Sequence, residues 1–199
     1  MRVIYLHGFA SSGNSSKSDW LREQFSSESC SVQSIEFISP DLPNKPRDAA
    51  LFLDEFLANL ADEPVTLIGT SLGGFYAACY GVKYGWPAVL INPLADVQDL
   101  IGSAMGKNVN YTTGDTFIMD ESDGEHLIRM SDKMTSPIKS TLLLIDKADD
   151  VLDYHKAVLR YGAHATTHLF EGGSHRFDHL PESIEEIMSL LKMAAYKSS

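Results

Sequence analysis

Short apolar segments that are typical of buried strands recur along the chain and alternate with helical patterns. Each is too short for a helix and is bounded by Gly, Pro, Asp or Asn, which favours strands covered on both faces. The segments are residues 3–6, 35–38, 65–68, 88–91, 142–145 and 166–170. Because strands that alternate with helices join in parallel, the chain predicts an α/β fold. We expect a doubly wound parallel sheet of about six strands with helices on both faces.

The helical patterns lie between most of these strand segments. Residues 49–60 carry apolar side chains at helical spacing, and residues 72–84 form a small, apolar helical run. Residues 151–161 end at a glycine, which is a natural helix stop. Residues 184–195 follow a proline and place their apolar side chains on one face, so a helix is predicted near the end of the sequence.

Residues 93–137 interrupt this alternation before the fifth strand. They contain no clear strand segment, collect Gly, Asn, Thr, Asp and Met, and include one short helical pattern over residues 121–130. Long insertions in α/β domains are often lids or binding loops, although a surface insertion without a role is the alternative. We therefore predict one domain over residues 1–199 with a lid or substrate-binding insertion. Its larger apolar side chains could line a pocket or form a small core of their own: Met105, Tyr111, Phe117 and Met119.

Composition and charge narrow the class of partner. Hydrophobic residues make up 44% of the 199 residues and charged residues 22%, which is ordinary for a soluble globular protein. The net charge of −11 argues against nucleic acid or an anionic membrane as a partner. Cys30 and Cys79 lack the spacing of a metal knuckle or redox pair. Apolar runs are too short for a membrane span, and the sequence opens on a strand-like segment without a leader pattern, so a cytoplasmic location is expected.

A glycine-rich turn joins the third strand segment to the helical run that follows it. Residues 69–73 read GTSLG and match the G-x-S-x-G pattern of a nucleophile elbow. In such an elbow the serine sits on a strained turn above the sheet, and the flanking glycines avoid collisions with the neighbouring strand and helix. Ser71 is therefore the candidate nucleophile, and the backbone N–H of Leu72 can face a developing oxyanion. The alternative is a tight turn without chemistry.

A nucleophilic serine needs a base, and the base is usually a histidine oriented by an acid. Among seven histidines, His175 follows the last strand segment in the stretch LFEGGSHRF. Gly172 and Gly173 give this loop the freedom to turn an imidazole toward Ser71. We therefore predict His175 as the base, and His179, in the same loop, is its main rival.

Four aspartates follow the fifth strand segment and compete for the role of the acid. Asp149 is favoured because it lies in the loop, where its side chain can reach the next loop. Asp146 ends the strand and can simply mark the turn. Asp150 or Asp153 can cap the helix that follows, since Asp is a preferred cap residue. Asp146 and Asp150 stay open as alternatives to Asp149.

The loop after the first strand segment is the expected source of a second oxyanion donor. It reads YLHGFASSGNS, where Gly8 allows the chain to turn and the amide of Phe9 is the natural donor. Phe9 and Leu72 are therefore the predicted oxyanion hole. His7 comes too early in the chain order for the base, and we expect it to support this loop by hydrogen bonding.

These stretches together resemble a known family. IYLHGFASS, IGTSLGGFYA, INPLADV, NYTTGD, DDVLDYHKAV and FEGGSHRF are similar, in this order, to the α/β-hydrolase superfamily and, more closely, to the YqiA-like short esterases. The last three stretches are the most specific. The resemblance implies a Ser71–Asp149–His175 triad in a compact core of six parallel strands in the order 2-1-3-4-5-6, without the two opening antiparallel strands of larger relatives. Ala148 departs from the family, which tends to have glycine before the acid.

The predicted function is that of a serine esterase. It would hydrolyse small-molecule carboxylic esters or acyl thioesters through an acyl-enzyme intermediate. The reaction would need no metal or cofactor. Within enzymes, the same triad can also serve a lipase-like acyl hydrolase, an acyltransferase or a perhydrolase. A non-catalytic ligand-binding module on the same fold is the alternative from another class.

Overall fold

The computed structural model describes residues 1–26, 35–138 and 140–197. Its centre is a six-stranded sheet in the order β2-β1-β3-β4-β7-β8, in which all neighbours pair in parallel. The sheet strands are β1 (Arg2–Leu6), β2 (Glu36–Ile38), β3 (Val65–Thr70), β4 (Ala88–Ile91), β7 (Thr141–Asp146) and β8 (Ala165–Phe170). Counted within the sheet, the order is 2-1-3-4-5-6, so the predicted α/β fold and strand order are confirmed.

Helices cover both faces of this sheet. They are α1 (Ser16–Ser26), α2 (Pro46–Ala58), α3 (Leu72–Tyr84), α4 (Val97–Ala104), α5 (Glu121–Lys133), α6 (Tyr154–Tyr161) and α7 (Ile184–Lys197). A 3-10 turn, Gly162–His164, leads into β8. Within the described ranges, none of these helices combines the length and apolar character that crossing a membrane requires.

Alternation along β1 shows how the sequence builds a core on each face. Ile4 and Leu6 pack into a cluster with Phe75 of α3, whereas Val3 and Tyr5 pack into a second cluster on the opposite face. The second cluster also contains the buried apolar residues of α1 and α7, which are Leu21, Phe25, Ile187 and Leu191. Because both faces are covered, the central strands read as continuous apolar runs rather than as alternating ones.

Several helices differ from the sequence prediction: α4 was not predicted, and α2 begins at Pro46 instead of residue 49. Helix α1 was not predicted, because Leu21 and Phe25 are its only buried large apolar residues in an otherwise polar segment. Helix α6 begins at Tyr154 instead of residue 151, because the Asp153 side chain accepts the N–H of His155 and caps the helix there. Cys30 lies outside the described residues.

The insertion contains two strands that the sequence did not predict. β5 (Gly106–Val109) and β6 (Thr116–Met119) form an antiparallel hairpin between α4 and α5. Both strands are four residues long and half-exposed, so they lack the apolar run that identifies a buried strand. The predicted short helix is present and longer, as α5. Of the proposed pocket or core residues, Met105 and Tyr111 are exposed and Met119 is buried.

Candidate active site

Ser71 lies in the turn between β3 and α3 in a backbone conformation that only a few residue types adopt easily. Its φ is 55° and its ψ is −121°, which costs about 1–3 kcal/mol for a residue other than glycine. The surrounding backbone holds this conformation. The Ser71 N–H donates to the carbonyl of Ile91 at 3.1 Å, and the Ser71 carbonyl accepts the N–H of Leu94 at 3.0 Å and of Phe75 at 3.2 Å.

The glycines on either side of Ser71 are required by close backbone approach. A Cβ at Gly69 would collide with the Gly73 carbonyl, and one at Gly73 would collide with the carbonyl of Leu6 in β1. The strand, the turn and the first turn of α3 are therefore packed backbone against backbone. This packing explains the spacing of G-x-S-x-G and projects the serine from the carboxyl edge of the sheet.

Two further side chains form a hydrogen-bonded chain with Ser71. The Nε2 of His175 is 3.1 Å from the Ser71 Oγ, and the Nδ1 of His175 is 2.9 and 3.0 Å from the two carboxylate oxygens of Asp149. Each residue follows the carboxyl end of a strand of the central sheet: β3 for Ser71, β7 for Asp149 and β8 for His175. Parallel strands thus bring together residues that are far apart in the sequence.

The Asp149 carboxylate is held ionised although it is buried. Burial by itself would raise its pKa, but hydrogen bonds from His175 and from the N–H groups of Leu152 and Val151 outweigh burial and lower the pKa below the ordinary value. An ionised carboxylate only accepts hydrogen bonds, so the Nδ1 of His175 carries the proton. The Nε2 atom is then left as an acceptor for the Ser71 hydroxyl.

The other aspartates after β7 have different partners. Asp153 caps α6, and the Asp150 side chain accepts the backbone N–H of His175 at 3.4 Å. Asp146 is fully buried, and its Oδ1 is 2.6 Å from the Nδ1 of His179. Two of the rivals left open by the sequence, Asp146 for the acid and His179 for the base, are therefore paired with each other.

A brace of buried polar groups fixes the loop that carries His175. The Oδ2 of Asp146 accepts the N–H groups of Ser174 at 3.2 Å and Asp178 at 2.7 Å. The side chain of Asn92, just after β4, donates to the Ser174 carbonyl at 2.9 Å and accepts the Asp146 N–H at 2.8 Å. Asn92 is buried and has a φ of 38°. Sequence reasoning missed its role, although an Asn-Pro pair directly after a buried strand is a signal.

The loop after β1 lies directly beside the serine. A side chain on Gly8 would place its Cβ 3.3 Å from the Cβ of Ser71. The Phe9 amide follows, and it has no hydrogen-bond acceptor within the described part of the chain. The Leu72 amide is the first of α3, a position whose N–H has no acceptor inside a helix. The Leu72 amide thus directly follows Ser71 and the Phe9 amide directly follows Gly8, and their role as oxyanion donors stays a prediction.

His7 supports this loop through both ring nitrogens. Its Nδ1 is 2.9 Å from the Gly8 carbonyl, and its Nε2 accepts the N–H of Leu42 at 3.0 Å. A carbonyl only accepts, so the proton is on Nδ1. Burial lowers the pKa of His7, which favours this neutral form.

A large cavity of the described residues is distant from this site. It has a volume of about 640 Å³ and lies at the amino ends of the strands, lined by Pro64, Pro87 and Thr141 among others. Ser71, Asp149 and His175 lie at the carboxyl ends. Among residues 1–26, 35–138 and 140–197, no three His, Cys, Asp or Glu side chains are grouped as metal ligands would be.

The parallel sheet, its strand order and the turn after β3 define the α/β-hydrolase fold. Comparison of the sequence with family models assigns the chain to one family. Residues 2–192 match the family described as Uncharacterised protein family (UPF0227), and the chain belongs to that family. This is the YqiA-like family, so the resemblance seen in the sequence is confirmed.

Solved structures share the fold at low sequence identity. Est1E from Butyrivibrio proteoclasticus is 13% identical, with a TM-score of 0.71 over 98% of this chain and 88% of that one. The esterase domain of a Rhodothermus marinus protein is 16% identical, with a TM-score of 0.64 over 99% and 86%. Alpha/beta hydrolase domain-containing protein 10 from mouse is 17% identical, with a TM-score of 0.65 over 100% and 90%.

Proposed function

We propose that this protein is a serine hydrolase of carboxylic esters or acyl thioesters. The observation that carries the proposal is the hydrogen-bonded chain from Asp149 through His175 to a serine held in a strained turn. A nucleophile, a base and an orienting acid in this geometry are what acyl transfer through a covalent intermediate requires. The names of the similar structures, an esterase and an esterase domain among them, support the same reaction class.

In the first half of the proposed reaction, Ser71 Oγ bonds to the carbonyl carbon of the substrate while His175 Nε2 takes its proton. The carbonyl oxygen becomes an oxyanion, which the amides of Phe9 and Leu72 stabilise. Asp149 stabilises the imidazolium that forms. When the intermediate collapses, the bond to the leaving oxygen or sulfur breaks and His175 gives its proton to the leaving group.

In the second half, water replaces the leaving group. The water oxygen attacks the acyl carbon while His175 takes a proton from the water. The amides of Phe9 and Leu72 stabilise the second oxyanion. The bond from the acyl group to Ser71 then breaks, and His175 returns the proton to Oγ. The products are the free acid and the original enzyme. In this proposal residues 1–199 act as one domain, with the 93–137 insertion contacting the substrate; a cytoplasmic location stays a prediction.

Hydrolysis of a p-nitrophenyl ester series, from acetate to decanoate, tests the proposal. We expect Ser71→Ala to lower kcat by a factor on the order of 10⁶, as removal of a triad nucleophile does elsewhere. Ser189→Ala is the matched control, because Ser189 is exposed on α7. The dependence of activity on acyl-chain length would also show how long an acyl chain the site accepts.

The outcomes separate the alternatives. Ester hydrolysis that persists in Ser71→Ala would place the chemistry elsewhere and contradict the mechanism. A wild type that cleaves only acyl thioesters would narrow the substrate class. A wild type that cleaves neither and does not react with a fluorophosphonate would overturn the proposal in favour of a binding module.

A further inference from the structure

The segment between β5 and β6 contains a buried asparagine whose amide group is fully used. Asn110 is 3% exposed. Its Oδ1 accepts the N–H groups of Thr112 at 2.9 Å and Thr113 at 3.0 Å, which closes the turn of the hairpin. Its Nδ2 donates to the Ser11 carbonyl at 2.9 Å and to the Asn44 side-chain oxygen at 2.6 Å. One side chain therefore joins the hairpin to the loop that follows β1.

The hairpin contacts the two preceding residues of that loop as well. The N–H of Tyr111 donates to the Ala10 carbonyl at 2.8 Å. The ring of Phe117 on β6 packs edge-on against the ring of Phe9, with centroids 5.4 Å apart. Residues 9–11, which begin with the proposed oxyanion donor, are thus each held by the hairpin.

Ala10 shows why this loop needs an external support. Its φ is 53°, a left-handed conformation that alanine adopts at a cost in free energy. A residue in this conformation relaxes unless its neighbours hold it. Relaxation here would rotate the Phe9–Ala10 peptide and, through the Phe9 backbone, shift the Gly8–Phe9 peptide that carries the donor N–H. An oxyanion donor is effective only when it is aimed in advance at the developing charge.

We propose that Asn110 is a positioning residue for the oxyanion hole. Through Ser11 and the Tyr111–Ala10 hydrogen bond, it holds the loop so that the Phe9 amide faces the substrate oxygen. The hairpin of the insertion is then part of the catalytic arrangement and not only a cover. This inference rests on the proposed hydrolase function. The tests are chosen so that failure of the inference can be distinguished from failure of the proposed function.

The first test compares Asn110→Asp with Asn108→Asp. Asn110→Asp keeps an oxygen for the Thr112 and Thr113 amides but removes the donor to Ser11. Asn108 is the matched control, because its Nδ2 donates only to carbonyls of the same insertion, those of Ala104 and Gly106. Removing an oxyanion donor costs 10²–10³ in kcat, so misplacing one should lower kcat roughly 10- to 100-fold in Asn110→Asp with KM little changed. Asn108→Asp should stay close to wild type.

A thionoester substrate distinguishes an oxyanion effect from general damage. Sulfur in place of the carbonyl oxygen accepts hydrogen bonds poorly, so it gains little from the oxyanion hole. We expect the ratio of kcat/KM for the ester to that for the thionoester to fall in Asn110→Asp and to remain unchanged in Asn108→Asp. An equal loss on both substrates, or no loss on either, would overturn the inference.

Amide hydrogen exchange tests the contact without relying on activity. In Asn110→Asp the Tyr111 amide should exchange at least roughly tenfold faster than in wild type, because local opening of the hairpin exposes it. In Asn108→Asp it should not. If Asn110→Asp does not fold, Phe117→Leu removes the ring contact with Phe9 and should lower the ester-to-thionoester ratio more weakly. Unchanged exchange at Tyr111 would contradict the inference even if the wild type proved to hydrolyse no ester. With an active wild type, an unchanged ratio in Phe117→Leu would contradict it as well.

Discussion

Two histidines of the loop after β8 each pair with an aspartate, His175 with Asp149 and His179 with Asp146. The two pairs differ in the contacts that their remaining ring and carboxylate atoms make. The His175–Asp149 pair has a shortest N–O distance of 2.9 Å, and the His179–Asp146 pair one of 2.6 Å. Their exposure is also alike, with side-chain values of 25% and 2% in the first pair and 26% and 0% in the second. Distance and burial therefore do not separate the proposed catalytic pair from the second pair.

The remaining atoms make the distinction. The Nε2 of His175 faces the Ser71 hydroxyl, whereas the ring of His179 stacks on Phe170 with centroids 4.8 Å apart. The second oxygen of Asp146 accepts two backbone N–H groups of the loop. The second pair thus braces the loop that positions the first. The comparison teaches that a base is identified by the group its free nitrogen contacts.

The largest expected effect comes from removing each histidine in turn. His175→Ala should lower kcat by a factor on the order of 10⁶ and leave the free energy of unfolding little changed, because the base is lost. His179→Ala should keep kcat within about tenfold of wild type but lower the free energy of unfolding by about 1–3 kcal/mol, since the buried Asp146 carboxylate loses a partner. Ester kinetics and urea unfolding measure both quantities.

Equal losses of kcat in the two histidine variants would break the distinction between the pairs. A His179→Ala variant that is inactive while fully folded would reverse it. Circular dichroism at the assay temperature provides the control, since only folded protein can be compared.

A smaller effect is expected when each aspartate is replaced by asparagine. Asp149→Asn should lower kcat on the order of 10⁴-fold, because the imidazole loses the partner that fixes its tautomer. Asp146→Asn should mainly reduce stability, by about 1–3 kcal/mol, because an amide has one acceptor oxygen where the carboxylate has two. It cannot accept the loop N–H groups on one oxygen and also accept from His179 Nδ1 on the other. If kcat falls more in Asp146→Asn than in Asp149→Asn, Asp146 is the acid and the assignment is wrong.

The smallest effect concerns stability at acidic pH. The pKa of Asp149 is lower in the folded protein than its ordinary value of 3.8. Its contribution to stability is therefore fully present above that value and is lost as the pH falls through the lower, folded-state pKa. We expect the stability advantage of wild type over Asp149→Asn, measured by urea unfolding, to be constant down to about pH 5 and to shrink as the pH falls below about 4. An advantage that grows over this range would mean that the folded-state pKa is raised.

The sequence allowed the sheet to be predicted because its signals are local. Each central strand is a buried apolar run, and the turn at Ser71 is fixed by glycines within two residues of it. The hairpin could not be predicted in this way, because β5 and β6 are half-exposed and depend on the Asn110 contacts. Elements stabilised by a distant partner leave little local pattern.

The same limit applies to the candidate site. Four aspartates lie within eight residues that begin at the last residue of β7, and no local rule says which one meets His175. The position of Asp146 at the strand end suggested a turn marker, whereas the folded chain uses it as an acceptor for residues about thirty positions later. Its role depends on β7 and β8 being adjacent, which is a property of the sheet and not of either segment.

The separation of the site residues along the chain has a consequence for how the protein matures. Ser71 and His175 are 104 residues apart, and β8, which precedes the His175 loop, is an edge strand. Long-range parallel pairing forms late, because the loop entropy is lost before the contacts are gained. During synthesis the serine turn therefore leaves the ribosome well before its base. The proposed nucleophile, Ser71, therefore has no base to activate it until β8 has joined the sheet. A nascent chain is then expected to be inactive toward esters until folding is complete.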